Sequence, residues 1–374
     1  MQIVQLQGWR LLRRVAFFIL TLALVDGVLA LALPPLPAVL SGERLPADRE
    51  TVMLPFWLEA LKHSTSATKV AFLGSSPTWG TAMPEATTTY PVRFATHWNK
   101  AHPERPVQAF NLAAKGFLAA DLNYVLAAAL PDADAFVIQL NYHTFSPQLL
   151  AATPIRHADL PERLGMNVNY EEAKRLGARP SPLLNLNTPL RHILRDNWRF
   201  YREREARAVE WLGTTPEHWL YTRFFPEAQG ADEDMPSPEP FYDLKPARQL
   251  YIMQRYRQNA NFDLQDNNTE LYFVRRMLAQ LRQAQKPAIV YVAPINLEAL
   301  DYYEAIDQAQ FRRNLDKLKA VVVQAGFHWV DLNTPQPLSE AVFADVSHTL
   351  PAGGDQVGKA LVNHSAAYLR EHLP

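Results

Sequence analysis

The chain contains no cysteine, which removes disulfide frameworks, thiolate nucleophiles and cysteine-bearing metal sites. That absence does not fix the compartment, because exported proteins need not carry disulfides. An excess of either charge is also lacking: 37 basic residues face 38 acidic ones, for a net charge of −1. Nucleic-acid binding normally needs a basic face, so nucleic acid is not an expected partner. Internal repeats and low-complexity tracts are missing too. The 11 histidines are scattered, with no H-x-x-x-H pair and third ligand, so no metal is expected and no motif calls for a cofactor. His63, His97, His102 and His143 read individually as surface or structural residues.

What is present is an ordinary globular mixture, 48% hydrophobic and 20% charged over 374 residues, able to bury a sizeable core. The N-terminus stands apart. Arg10, Arg13 and Arg14 precede an apolar run, 15–33, interrupted only by Thr21, Asp26 and Gly27. Its length is close to the ~20 residues that cross a bilayer, and basic residues before such a run stay on the cytoplasmic side. The expectation is an uncleaved single-pass anchor in the cytoplasmic membrane, with the rest of the chain periplasmic or extracellular. The alternative is a cleaved leader, since Ala30-Leu31-Ala32 offers a small-x-small site. Pro34, Pro35 and Pro37 then end the helix. Residues 1–40 are therefore assigned to the anchor and the start of a linker, and 41–374 to one catalytic-type domain.

Within that domain five short apolar, β-rich runs stand out: 69–74, 107–113, 135–141, 288–294 and 328–333. Near-continuous hydrophobicity suits strands covered on both faces, as in parallel sheets. Helical patterns lie between and after them at 92–101, 120–129, 270–285, 310–325 and 354–371. The alternation predicts a three-layer α/β/α fold around a five-stranded parallel, flavodoxin-like sheet. The interval 147–268 breaks it. Rich in charged and aromatic residues, with an acidic, proline-containing loop at 231–240, it reads as a mostly helical cap. Its basic-aromatic segment 191–207 suits lipid headgroups or, more simply, a solvated helix whose aromatics face the cap.

Ligands of open α/β sheets bind at the carboxyl ends of the strands, so the residues after each run matter most. After the first comes Gly74-Ser75-Ser76-Pro77. Pro77 fits the first turn of a helix, which puts Ser76 at a helix N-terminus, where developing negative charge is favoured. Alone, the same pattern describes a serine cap. After the second run comes Gly116, able to bring its N–H close to a carbonyl oxygen or simply to make a turn. Asn141 ends the third run; its amide suits an oxyanion or a loop cap. His143, two residues on, is placed to line the same pocket. Past the fifth run, Asp345-Val346-Ser347-His348 sets a carboxylate three residues before an imidazole. That spacing lets the acid hold Nδ1–H and leave Nε2 free to take a hydroxyl proton.

Taken together the set resembles the SGNH (GDSL-like) hydrolases, whose four blocks occur in order over 68–146 and 286–370. Ser76 stands at the nucleophile of the first block, with Ser75 where an aspartate is common. Gly116 matches the second block, Asn141 the third, and Asp345 and His348 the last. Gln139 and Tyr142 depart from the glycine and aspartate that often flank the third-block asparagine. The resemblance implies a Ser76–His348–Asp345 triad, an oxyanion hole from Ser76, Gly116 and Asn141, and acyl transfer through an acyl-serine. With an anchor, the plan is similar to DltD-type D-alanyl transfer and alginate O-acetylation proteins. It implies an O-acyl transferase or esterase on an envelope polysaccharide or teichoic-acid-like substrate, beside a membrane-bound O-acyltransferase. A non-catalytic partner of such an acyltransferase and a lipid esterase are the competing readings.

Overall fold

The structure, a computed structural model, describes residues 2–32, 44–45, 50–65, 68–152, 156–157, 160–166, 198–212, 238–334 and 337–373. Pro34, Pro35 and Pro37, residues 191–197 of the basic-aromatic segment and 231–237 of the acidic loop lie outside them. The chain divides into two compact units, one of 1–41 with 179–229, the other of 42–178 with 230–374. The interval 147–268 thus contributes to both.

In the first unit α1, Gln2–Ala32, runs through the apolar stretch as far as Ala32. Phe17, Phe18, Leu20, Leu24 and Leu31 on it are exposed. Among the described residues no helix is long and apolar enough to cross a membrane, so the expected anchor is not shown by the fold.

The second unit begins with α2 (Glu50–His63), a helix where the sequence offers no strand. It leads into β1 (Thr68–Leu73), α3 (Tyr90–Ala101), β2 (Val107–Asn111), α4 (Ala119–Ala129) and β3 (Ala135–Leu140). In the first unit again comes α5, Arg199–Leu212, on which Glu203 bridges Arg199 at 2.8 Å and the buried Arg207 at 2.9 Å. The second unit closes with α6 (Pro246–Ala260), α7 (Thr269–Gln283), β4 (Ala288–Val292), α8 (Gln308–Gln324), β5 (His328–Val330) and α9 (Pro351–His372).

All strand pairings are parallel, in the order β2-β1-β3-β4-β5, the flavodoxin-like arrangement. Side chains alternate across a sheet. Val70, Phe72, Val137, Ile289 and Tyr291 face one way, into a core with Phe94 and Trp98 of α3 and Val357 and Leu361 of α9. The intervening residues of β1, β3 and β4 are buried too, on the side of α4, α7 and α8. Burial on both faces is why these strands read as unbroken apolar runs.

The strands are shorter at their carboxyl ends than those runs, because the last residues turn into the loops. After β5 the Asp331 carboxylate accepts from the backbone N–H groups of Asn333 (2.8 Å) and Thr334 (3.0 Å), which bends the chain out of the sheet. The order reverses between β1 and β3. The crevice there is where open sheets bind ligands, and Ser76 and Asn141 stand on its two sides.

Before α2, Arg44 is fastened to the loop that follows Ser76. Its guanidinium donates to the carbonyls of Gly80 (2.9 Å), Met83 (2.7 Å) and Pro84 (3.0 Å) and lies 4.4 Å over the Trp79 ring. Trp79 in turn donates its indole N–H to the Leu45 carbonyl at 2.9 Å.

Candidate active site

Ser76 opens a single helical turn, Ser76–Trp79, with Pro77 in its second position and Gly80 closing it in the left-handed conformation, φ +91°. Ser75, just before the turn, is buried, whereas Ser76 is half-exposed. Only the second serine is therefore presented to a substrate. Gly74 is needed for space rather than for a left-handed φ. A Cβ there would sit 2.6 Å from Thr78 Oγ1 and 2.8 Å from Gln139 Oε1, well inside van der Waals contact.

His348 comes within reach of Ser76 from the far end of the chain. Its Nε2 lies 2.8 Å from Ser76 Oγ and its Nδ1 2.7 Å from Asp345 Oδ2. The other Asp345 oxygen accepts from the backbone N–H groups of Ser347 and His348, each at 2.8 Å. This folds 345–348 into a tight turn that points the imidazole back at the serine. An antiparallel bridge between Phe343 and Thr349 closes the base of the loop, and Asn296 N–H donates to the Val346 carbonyl at 2.8 Å. Burial disfavours the Asp345 charge. The His348 charge, its ring hydrogen bond and the two backbone donors outweigh that and hold the carboxyl below the usual carboxylate range.

Gly116 has φ +73°, a left-handed conformation natural only to glycine, and a Cβ on it would press on Arg156 Nε at 3.1 Å. Among the described residues nothing accepts from the backbone N–H of Ser76 or of Gly116. Asn141 donates an amide proton to Ser75 Oγ at 2.9 Å. Ser76, Gly116, Asn141, Asp345 and His348 line one cavity of about 400 Å³.

Gln139 departs from the family pattern, yet it organises the turn that carries Ser76. Its Oε1 accepts from Ser75 N–H (2.9 Å), from Ser75 Oγ (3.4 Å) and from Thr78 Oγ1 (3.2 Å). Ser75 and Gln139 thus complement each other: a hydroxyl and an amide oxygen meet where the family resemblance would place a carboxylate and a glycine. His143 lines the cavity. Burial first, then the charges of His348 and Arg255, push its imidazole down to about 4 against the opposing pull of Asp345, so it is neutral at neutral pH.

Glu270, at the start of α7, has no signal in the sequence beyond that of a helix residue. Both its oxygens accept from Ala119 N–H, at 3.1 and 2.9 Å, and Asp121 beside it accepts from Leu118 N–H at 2.9 Å. These two acids fix the loop that carries Gly116. Burial, aided by the Asp121 charge, raises the Glu270 carboxyl to about 8. A raised pKa means that the folded state keeps a proton which the unfolded chain has released. Stability is therefore full below the ordinary carboxylate range and falls as pH rises toward 8, by up to about 1.4 kcal/mol per pH unit. Glu270→Gln removes that slope. Urea melts should show the variant gaining on the parent chain steadily from about pH 5 to about 8; a gap that does not change with pH would show Glu270 ionised throughout.

No family model matches the chain, and no curated protein does. Among solved structures it is similar to an alpha/beta hydrolase enzyme from the metagenome of Lake Arreo, Spain, at 12% identity, covering 82% of this chain and 98% of that one, TM-score 0.36. A variant of an acetyl-xylooligosaccharide esterase from Geobacillus Stearmophilus matches at 12% identity over 80% and 94%, TM-score 0.33. A two-domain esterase active on acetylated mannans matches at 10% identity over 89% of this chain and 56% of its own, TM-score 0.34. These are distant likenesses and say nothing of this chain's substrate. What fold and site define by themselves is a doubly wound parallel sheet with a serine–histidine–aspartate relay at its switch point.

Proposed function

We propose that the protein is an SGNH-type serine enzyme that transfers or hydrolyses O-acyl groups on a cell-envelope glycan through an acyl-serine. The observation that carries this is the continuous relay from Ser76 Oγ through His348 to Asp345, at 2.8 and 2.7 Å, beside the backbone N–H groups of Ser76 and Gly116, which have no acceptor among the described residues. Ser76 passes its proton to His348 Nε2 as Oγ attacks the acyl carbonyl, and Asp345 stabilises the imidazolium. The N–H groups of Ser76 and Gly116 with the Asn141 amide receive the oxyanion. His348 then returns the proton to the departing oxygen, leaving acyl-Ser76. Water or an acceptor hydroxyl, deprotonated by the same imidazole, completes hydrolysis or transfer.

A fluorophosphonate probe should label Ser76 in the parent chain and much less in His348→Ala. No label on the folded parent chain would sink the activated-serine reading.

The apolar stretch of α1 supports the accompanying proposal that residues 1–40 anchor the enzyme in the cytoplasmic membrane, beside a membrane-bound O-acyltransferase that supplies the acyl group. A chain shortened to begin at Gly42 should leave the membrane fraction; its retention there would count against the anchor. Beginning at Pro46 instead discards the Arg44 and Leu45 clasp. That chain should melt lower by roughly 3 °C, the effect of ~2 kcal/mol in a domain of this size.

A further inference from the structure

His143 follows Asn141 by two residues, in the turn Tyr142–Phe145, and lines the cavity of Ser76 and His348. The relay does not use it. Nor does the turn need its imidazole. Thr144 Oγ1 donates to the Asn141 carbonyl at 2.7 Å, Ser146 N–H to the His143 carbonyl at 3.1 Å, and Asn268 Nδ2 to the Phe145 carbonyl at 2.7 Å. Nδ1 of the ring is enclosed by the protein and has no hydrogen-bond partner among the described residues. Nε2 makes no hydrogen bond among them either, but it is not enclosed, so it is the nitrogen within reach of the cavity.

Burial, then the His348 and Arg255 charges, hold this ring neutral at neutral pH, and a neutral imidazole carries one proton. On the enclosed Nδ1 that proton would be a donor buried without an acceptor, which is costly. On Nε2 it points into the cavity. Tyr256 favours the second tautomer. It belongs to the stripe of α6 that lines the same cavity, from Arg248 to Asn259 at the spacing of one helix face. Its ring meets the His143 ring edge-on at 5.9 Å, and its hydroxyl is also buried without a partner among the described residues. Burial, then Tyr142 and Asp345, keep that hydroxyl protonated, so it complements a bare lone pair on Nδ1. Buried polar atoms left unpaired are uncommon and call for a role. The charges that act on the two rings also place them. His348 and Asp345 act on His143, and Asp345 on Tyr256. Both rings thus stand on the acid–base side of Ser76, where alcohol oxygens leave and enter.

We propose that His143 is a further catalytic residue, whose Nε2–H holds the alcohol oxygen that departs from or attacks the acyl carbon, with Tyr256 positioning the ring. As the ester C–O bond breaks, His348 delivers its proton to the departing oxygen. His143 donates a hydrogen bond to the same oxygen and keeps its own proton. In the second half-reaction the incoming hydroxyl gives its proton to His348 and is held by His143 in the same way. A neutral donor suits this place, because a second imidazolium would repel the charge forming on His348. The proposal rests on the acyl-serine reading and adds to it the group that recognises the alcohol.

Two acetate esters with different leaving groups test it in the full-length protein. p-Nitrophenoxide departs without help, whereas an alkoxide needs its oxygen held and protonated. His143→Ala should therefore change kcat/KM on p-nitrophenyl acetate little, and lower it on glyceryl triacetate by about 10–100-fold. His143→Gln, which still offers an N–H donor, should recover much of that loss. Tyr256→Phe should show the same split at smaller size. An equal fall on both esters in every variant would make His143 a structural residue, and no fall on either would leave it without a role; each overturns the proposal. Fluorophosphonate labelling of Ser76 keeps the two readings apart. Labelling that persists without the leaving-group split overturns this proposal alone. A folded parent chain that takes no label overturns the acyl-serine reading and this proposal with it.

Discussion

Asp345→Asn should lower turnover of a small ester such as p-nitrophenyl acetate by about 10³–10⁴-fold while the protein stays folded. The two carboxylate oxygens do different work. One accepts from the Ser347 and His348 backbone N–H groups at 2.8 Å, and the other from His348 Nδ1 at 2.7 Å. An asparagine keeps its oxygen for the backbone pair, so the turn that presents His348 survives. Its amide nitrogen then faces Nδ1 and, being a donor, selects the tautomer with the proton on Nε2. That proton points at Ser76 Oγ, 2.8 Å away, and the imidazole can no longer take one from the serine. A circular-dichroism melt near that of the parent chain, with the fall in kcat, is the expected pair of results. Activity within tenfold of the parent chain would show that His348 does not serve as the base.

The same carboxylate shapes the acid limb of the pH profile. Its pKa lies below the ordinary value, so what it contributes is present above the ordinary carboxylate range. That contribution is lost only as pH falls through the depressed folded value.

Much of this was legible in the sequence for a physical reason. Strands buried on both faces must be apolar throughout, so β3 and β4 announce themselves. A D-x-x-H turn is local, because three residues suffice to bring Asp345 to His348. Ser76 stands out in the sequence only through the resemblance of the four blocks, since by itself Gly74-Ser75-Ser76-Pro77 also describes a serine cap. Other parts of the site were less visible. Gln139 sits inside an apolar strand, and its meaning depends on Ser75, which is 64 residues away in the chain. Glu270 fixes the Gly116 loop from 151 residues away, and no local pattern reports such a pairing. The cavity stripe of α6 did leave a trace in its helical spacing. In sequence, though, it is indistinguishable from a solvated helix face, because nothing says that the helix lines the cavity of Ser76 and His348. Gly74 is a further case: what requires a glycine there is the crowding of Thr78 and Gln139, which no neighbour in the sequence announces.

Gln139→Leu should reduce kcat by roughly 10²–10³-fold, comparable to loss of an oxyanion donor, with a smaller change in KM. Leucine has similar bulk but accepts nothing. It leaves the Ser75 N–H, now 2.9 Å from Gln139 Oε1, buried and unpaired at a cost of about 1–3 kcal/mol. The turn must shift to find another partner, and the Ser76 hydroxyl and N–H shift with it. The Ser75 hydroxyl also loses its acceptor, which frees it to rotate away from Asn141. Gln139→Glu separates this positioning role from mere packing. It keeps an acceptor oxygen, and the Gln139 nitrogen it replaces has no hydrogen-bond partner among the described residues, so the protonated form fits the site. Burial raises the pKa of such a carboxyl, and its ionisation at higher pH puts a negative charge beside the forming oxyanion. The Glu variant should therefore exceed the Leu variant in kcat at low pH, and its activity relative to the parent chain should fall as pH rises. If Leu and Glu variants lost activity equally at every pH, Gln139 would be filling space rather than aiming the nucleophile.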